Sequence, residues 1–133
     1  MHYEAPHSDR ELAAVGAGWA LNYHLAYELG GPDAVKPMPG GEAWLAVIEG
    51  HRVDERHLAV HTNHLVAMND ADRAAWDAGG SAMLEQVTVT GTASEVRQRV
   101  EALGEIVVTE IAYQPMGPDV PRELERFIAA ATR

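Results

Sequence analysis

The sequence predicts an α+β fold: a helix-rich portion of a (β/α) barrel with two short strands, completed by dimerisation. Two observations support this class. Residues 86–132 show the order strand, helix, strand, helix, which is the repeating unit of such barrels. The chain has 133 residues, whereas a closed eight-unit barrel takes about 250. We therefore expect one domain over residues 1–133, with a helical half over 1–78 and a strand–helix–strand–helix half over 81–133.

The first strand and helix of this unit follow from local patterns. Val87 and Val89 alternate with polar neighbours, as in a half-buried strand. Thr92 and Glu95 have the spacing of a capping box, which begins a helix. Gly104 is expected to end that helix.

The remaining elements are predicted from composition and from capping residues. Residues 106–113 are rich in β-branched side chains, which favours a buried strand, and Asp119 is a suitable N-cap for the last helix. In the amino-terminal half, residues 30–32 are expected to end a long first helix, and a third helix is expected from near Asp54 to about Asn69. The expected core combines the apolar stripes of the helices with both strands: Leu12, Val15, Trp19, Tyr23, Val47, Leu65, Val96, Val100, Val108, Ile111, Leu124 and Phe127.

The composition limits the possible partners. Ten basic and twenty acidic residues give a formal charge of −10. Binding to nucleic acid or to an anionic membrane needs clustered Lys and Arg, so neither partner is expected. Cysteine is absent, which excludes disulfides and thiolate chemistry. The chain has neither a long apolar run nor a basic-then-apolar amino terminus, so a cytoplasmic location is expected.

Several short motifs follow one another within residues 20–132: Tyr27-Glu28-Leu29-Gly30-Gly31-Pro32, Pro39-Gly40-Gly41, His57-Leu58-Ala59-Val60-His61 with His64, Asn69-Asp70-Ala71-Asp72-Arg73, Gly91-Thr92-Ala93-Ser94-Glu95-Val96, Thr109-Glu110-Ile111, Gln114-Pro115 and Gly117-Pro118-Asp119. In this order they resemble the carboxy-terminal part of the luciferase-like monooxygenases, which are barrel enzymes that use FMN or the deazaflavin coenzyme. Val107 departs from the family's pattern, which commonly has glycine there, so a rebuilt turn is expected. The family's amino-terminal barrel strands have no counterpart in this sequence.

The resemblance implies an oxidoreductase that acts on a small-molecule substrate with FMN or the deazaflavin coenzyme. It also implies that Gly91 and Thr92 contact the cofactor phosphate, because this region lies near the phosphate end of the family's barrel. A helix N-terminus presents free N–H groups to an anion in general, and Arg97 and Arg99 are close enough in sequence to assist. The alternative is that Gly91-Thr92 is an ordinary helix start.

Three histidines, His57, His61 and His64, occur at i, i+4 and i+7 of the predicted third helix. They would lie within about 60° of one another around its axis, and Asp72 continues the same stripe. Three histidines with a carboxylate suit zinc with an open position for water. Because His57 and His64 would lie about 10 Å apart on a straight helix, one ion is expected to take only two of the three. The alternatives are a polar stripe that lines a groove or subunit contact, and a surface that contacts a flavin-type substrate.

His24 lies on the flank of the first helix, near Tyr27. One hypothesis makes His24 a proton donor or acceptor with Tyr27 as its hydrogen-bond partner. The other makes it a half-buried histidine that bonds to a backbone carbonyl.

Three functional hypotheses therefore stand. The first is a flavin- or deazaflavin-dependent oxidoreductase in which His24, His61 and His64 are catalytic. The second is a small zinc-type hydrolase with a histidine-lined groove. The third is a non-catalytic fragment without a cofactor that self-associates, because apolar faces left without partners are covered by pairing. A homodimer is expected.

Overall fold

The computed structural model describes residues 9–132, with side chains from Leu12 onward, and over this range the fold is helical. The helices are α1 (Asp9–Gly30), α2 (Pro32–Val35), α3 (Gly41–Glu49), α4 (Arg56–Val60), α5 (Asp70–Asp77), α6 (Leu84–Val87), α7 (Ala93–Glu105) and α8 (Val120–Ala131), with a 3-10 helix over Gly80–Met83 before α6. No helix in this part of the chain combines the length and the apolar character needed to cross a membrane.

The predicted α+β class is wrong, because no β-strand forms within residues 9–132. Residues 86–87 of the first predicted strand belong to α6, and residues 88–90 and 108–116 have no regular secondary structure. A strand needs a neighbouring strand to bond its backbone N–H and C=O groups, and the two segments do not pair in this part of the chain. The portion of a barrel that a second copy was expected to complete is therefore not present in the described residues.

The core lies around α1, which packs against α2, α3 and α5. Trp19, Tyr23 and Trp44 are fully buried. The ring of Trp76 packs edge-on against Trp19 at a centroid distance of 5.1 Å, and the Trp19 indole N–H donates to the Gly80 carbonyl at 2.9 Å. Among the described residues, Trp19, Trp44 and Tyr23 are the largest fully buried side chains, and the polar atom of each has a hydrogen-bond partner.

The predicted core is partly confirmed. Val15, Trp19, Tyr23 and Val96 are buried, as expected. Leu12, Val47, Leu65, Val100 and Phe127 are only partly buried. Val108, Ile111 and Leu124 are exposed, so their assignment to the core is wrong. The first two belong to the strand that does not form, and the third faces solvent because α7 covers only part of α8.

Two adjacent glycines allow α3 to approach its neighbours closely. Gly40 has a left-handed φ of 74°, and a Cβ there would lie 2.2 Å from the carbonyl oxygen of Ala75 on α5. A Cβ on Gly41 would lie 2.0 Å from the carbonyl oxygen of Val35. These positions admit only glycine without backbone movement, and they fix the position of α3, which carries Trp44.

Both ends of α7 have recognisable caps. Thr92 and Glu95 form the predicted capping box. The helix does not end at Gly104 as predicted but continues to Glu105, and Val107 follows with a left-handed φ of 70°. The Val107 N–H donates to the Gly104 carbonyl at 3.2 Å and the next N–H to the Leu103 carbonyl at 3.1 Å, which is the Schellman motif. Val107 therefore occupies a position that normally holds glycine, and the turn keeps that conformation.

The predicted third helix is interrupted. Helix α4 ends at Val60, well before the expected end near Asn69. Asn63 and Leu65 have left-handed φ angles of 60° and 66°, which an α-helix cannot contain. The chain from His61 to Ala67 consequently forms successive turns, and this path decides where the histidines lie.

Candidate functional site

The centre of the candidate site is a buried contact between α1 and α5. His24 of α1 places its Nε2 atom 3.0 Å from Oδ1 of Asp72 on α5. The side chain of His24 is 4% exposed and that of Asp72 is 0% exposed. The predicted partner of His24, Tyr27, is not among these contacts, because both ring nitrogens of His24 face other side chains.

Two N–H groups hold the carboxylate of Asp72 in addition to its contact with His24. The Trp44 indole donates to its Oδ1 at 2.9 Å, and the backbone N–H of Asn69 donates to its Oδ2 at 3.0 Å. Asn69 in turn accepts from the backbone N–H of Asp72, so the two residues form the capping box that begins α5. A carboxylate with this many donors is fixed in place and is satisfied despite its burial.

The turns after α4 bring two more histidines to His24. Its second ring nitrogen, Nδ1, lies 3.1 Å from Nδ1 of His64, and Nδ1 of His61 lies 3.4 Å from the same His64 atom. Ring nitrogens of His24, His61 and His64 all lie within 4.8 Å of one another. We call these three residues the histidine triad. The predicted catalytic residues are therefore brought together.

Glu28, one turn after His24 on α1, is a second carboxylate beside the triad. Its Oε1 lies 3.0 Å from Nε2 of His61 and 3.2 Å from Nδ1 of His57. His57 thus joins Glu28 and His61 in a second, more exposed group. The set predicted as metal ligands, His57, His61 and His64, is divided between these two groups, and His61 belongs to both.

The pKa values of two members of the cluster are shifted. Burial is the main cause that lowers the pKa of His64, and the neighbouring His24 and His61 add to it, while Asp72 opposes the shift. The pKa of Glu28 is lowered by its hydrogen bonds to His61 and His57. His64 consequently favours the neutral imidazole, and Glu28 favours the carboxylate.

The predicted phosphate contact at Gly91 and Thr92 meets an internal competitor. The N–H of Thr92 donates to Oε2 of Glu95 at 2.7 Å, and the Glu95 N–H donates to the Thr92 hydroxyl at 3.3 Å. Arg97 donates to the Ala130 carbonyl, and Arg99 donates to the carbonyls of Glu85 in α6 and of Thr88 just after it. Two of the N–H groups at this end of α7, those of Thr92 and Glu95, are thus bonded within the helix cap.

Sequence reasoning missed three features of this site. It placed Asp72 on the histidine stripe but did not connect it to His24, which is 48 residues earlier. It gave no role to Trp44, and it did not pair Glu28 with the histidines. Only Glu28 carried a local signal, since its spacing of four residues from His24 puts both on one face of α1.

No protein-family model matches the chain, and neither curated protein sequences nor solved structures give a match. What the protein does is therefore inferred from its residues and from their positions.

Proposed function

We propose that the chain acts as part of a luciferase-like oxidoreductase that uses FMN or the deazaflavin coenzyme on a small-molecule substrate. One observation carries this proposal: motifs that are far apart in the sequence, and that resemble this family, converge on one polar cluster that extends from the core to the surface. Glu28, His61 and Asp72 each come from a different motif of the resemblance. The Pro39-Gly40-Gly41 motif sets the position of α3, which supplies Trp44.

The cluster suits the proton transfer that accompanies reduction of a substrate. The coenzyme supplies the hydride, and the protein must position the substrate and exchange a proton with it. Asp72, His24, His64, His61 and Glu28 form a continuous path from the core to the surface, with successive distances of 3.0, 3.1, 3.4 and 3.0 Å. A role in proton transfer would give the buried carboxylate of Asp72 a function in addition to the capping box that begins α5. In this proposal His24 and His64 exchange the proton.

The proposal is tested by coenzyme binding and by turnover. Purified protein is titrated with FMN and with the oxidised deazaflavin coenzyme by fluorescence, and turnover is measured with each reduced coenzyme. We expect His64→Gln to lower turnover by about 100-fold or more and to leave coenzyme affinity unchanged. His51→Gln is the matched control, since His51 is exposed and lies outside the cluster. Protein that binds neither coenzyme and shows no turnover would contradict the proposal.

A zinc-type hydrolase is the second candidate, and the convergence of three ring nitrogens favours it. A metal ion with an open coordination position lowers the pKa of bound water to about 7 and generates a nucleophile. We expect hydrolysis of activated esters to be lost on treatment with a chelator and in His61→Ala. Hydrolysis that survives both changes would exclude this candidate.

A homodimer is the third proposal, and exposed apolar side chains favour it. Ile106 and Val107 after α7 are 70% and 84% exposed, and Ile128 on α8 is 50% exposed. Chains commonly cover such surfaces by self-association. Light scattering at micromolar concentration is expected to give twice the chain mass of 14.4 kDa, and a monomeric mass would contradict this proposal.

A further inference from the structure

We propose that the histidine triad binds one divalent transition metal ion of the zinc type, through Nδ1 of His24, His61 and His64. Asp72 and Glu28 hold two of the ligands from behind. This site deepens the zinc-type candidate above, and it takes the nitrogens that the proton path of the oxidoreductase proposal uses. It is tested separately from both, because protein that shows neither coenzyme binding nor hydrolysis can still bind the metal.

Two of the three spacings between the ring nitrogens match a tetrahedral site, and the third, between His24 and His61, is within 4.8 Å. Zinc–nitrogen bonds of about 2.0–2.1 Å at tetrahedral angles separate two ligand nitrogens by about 3.3 Å. The Nδ1 atoms of His24 and His64 are 3.1 Å apart, and those of His61 and His64 are 3.4 Å apart. The side chains therefore need little movement to surround one ion.

The hydrogen bonds at the outer nitrogens fix which lone pairs are available. Nε2 of His24 faces Asp72, and Nε2 of His61 faces Glu28. A carboxylate only accepts, so in the neutral imidazole each Nε2 carries the proton and each Nδ1 presents a lone pair. Both lone pairs point to Nδ1 of His64, which carries at most one proton. His64 can therefore donate a proton to the lone pair of only one of the other two histidines. A cation between the three rings would instead accept the Nδ1 lone pairs of all three.

The carboxylates are placed as in established metal sites. Histidine ligands almost always donate their other ring N–H to a carboxylate, a carbonyl or water, which orients the ring and raises its basicity. Asp72 is the acceptor behind Nε2 of His24, and the N–H groups of Trp44 and Asn69 hold Asp72 in turn. Glu28 is the acceptor behind Nε2 of His61. Two of the three proposed ligands therefore have a carboxylate behind them.

The second group, of Glu28, His57 and His61, is a weaker candidate. The side chains of His57 and Glu28 are 71% and 40% exposed, so solvent competes for every ligand and little holds their rotamers. Binding there would also use Nε2 of His61, which the triad leaves for Glu28. His57 thus distinguishes the two groups experimentally.

Three histidines leave one tetrahedral position for water or for another small ligand. His61 is partly open to solvent, with a side chain that is 32% exposed. Solvent and ligands reach the ion from that side, while His24 closes the other. This is the coordination of a catalytic site more than of a purely structural one, in which the protein supplies all four ligands.

The test is direct metal titration of the full chain. Protein stripped with a chelator and then freed of it is titrated calorimetrically with Zn²⁺, and Co²⁺ is added separately to record its visible absorption. We expect one Zn²⁺ per chain and a tetrahedral Co²⁺ spectrum. His64→Ala is expected to lower Zn²⁺ affinity by more than about 100-fold, because loss of a hydrogen bond behind a ligand already costs about 10–100-fold. Glu28→Gln is expected to lower Zn²⁺ affinity by about 10–100-fold, because it changes only the group behind a ligand.

His57→Ala is the matched control, from the same segment but outside the triad, and it is expected to keep affinity within about 3-fold. Circular dichroism of each variant shows whether it is folded, and His61→Ala supplies a second ligand variant if His64→Ala is not. Failure of the folded wild-type chain to bind Zn²⁺ overturns the proposal. Loss of binding in His57→Ala with binding kept in His64→Ala also overturns it. Binding of Zn²⁺ without any coenzyme binding or hydrolysis supports the site while contradicting the functions proposed above.

Discussion

Asp72 lies directly behind His24, with its Oδ1 atom 3.0 Å from Nε2 of the ring and with both side chains withdrawn from solvent. The same oxygen accepts from Trp44, so one carboxylate connects α1, α3 and α5. This residue joins the packing of the protein to the chemistry of its histidines. The first prediction follows from that position.

Asp72→Asn is expected to destabilise the protein by about 3 kcal/mol, because removing one member of a buried, hydrogen-bonded pair leaves its partners unsatisfied. An amide cannot accept from the Trp44 indole, the Asn69 N–H and His24 as the carboxylate does. Urea unfolding measures the change. Asp77→Asn, at an exposed position of the same helix, is expected to have little effect, and equal losses in the two variants would contradict the assigned role.

Gly40→Ala tests the close approach of α3 to α5. At Gly79, which is also in the left-handed region but has open space around it, alanine is expected to cost only the backbone strain of about 1 kcal/mol. At Gly40 the added methyl would also meet the Ala75 carbonyl, which adds about 2 kcal/mol of overpacking. Thermal or urea unfolding compares the variants. If both substitutions cost the same, the contact with Ala75 is not as close as described.

Val107→Gly is expected to stabilise the protein by about 1 kcal/mol. The left-handed conformation of a β-branched residue costs about 1–2 kcal/mol, and glycine removes this cost, although its greater freedom in the unfolded chain offsets part of the gain. Val107 is 84% exposed, so little burial is lost. Val108→Gly, whose residue is not among those with positive φ, is expected to destabilise. A less stable Val107→Gly protein in urea would argue against the Schellman geometry.

Glu95 is expected to make stability depend on pH in the acid range. Hydrogen bonds from the Thr92 backbone and hydroxyl lower the pKa of this carboxyl. A lowered folded-state pKa gives stability that is fully present above the unfolded-state pKa of about 4.3, and that is lost as the pH falls through the folded-state value. Unfolding free energies measured across this range should therefore fall less steeply in Glu95→Gln. Glu101→Gln, exposed on the same helix, should keep the wild-type slope.

Tyr23 is expected to make the stability of the protein depend on pH in the alkaline range. Burial, and then the charge of Asp72, raise its pKa to about 12, while its hydroxyl donates to the Pro39 carbonyl. A raised folded-state pKa gives stability that is present below the unfolded-state pKa of about 10 and that is lost as the pH rises through about 12. Tyr23→Phe should flatten this decline in unfolding experiments. Tyr27→Phe, one turn later and only half-buried, should retain it.

Local features of the fold could be predicted from the sequence. The capping box at Thr92 and the N-cap at Asp119 are confirmed, because each depends on residues three positions apart. The long first helix, ending at Gly30, is also confirmed. The strands were not predictable in this way, since their formation depends on a partner that is distant in sequence. A β-branched run does not show whether such a partner exists.

The site was predictable only in part. The pattern of His57, His61 and His64 indicated a polar cluster, but a straight helix was assumed. The break depends on Asn63 and Leu65, and the left-handed conformation of Leu65 had no sequence signal, because leucine rarely adopts it. The partnership of His24 with Asp72 arises from the packing of α1 against α5, which no local pattern encodes.

The break after α4 has a consequence for how this site can be lost. Every histidine and both carboxylates can be retained while the triad is dismantled, if changes at Asn63 and Leu65 let the helix run on unbroken. His64 would then follow the path of the longer helix, and its contact with His24 would be lost. Asn63 and Leu65 contain no group of the triad, yet the triad depends on their backbone conformation. Substituting only the histidines and carboxylates would not reveal this dependence.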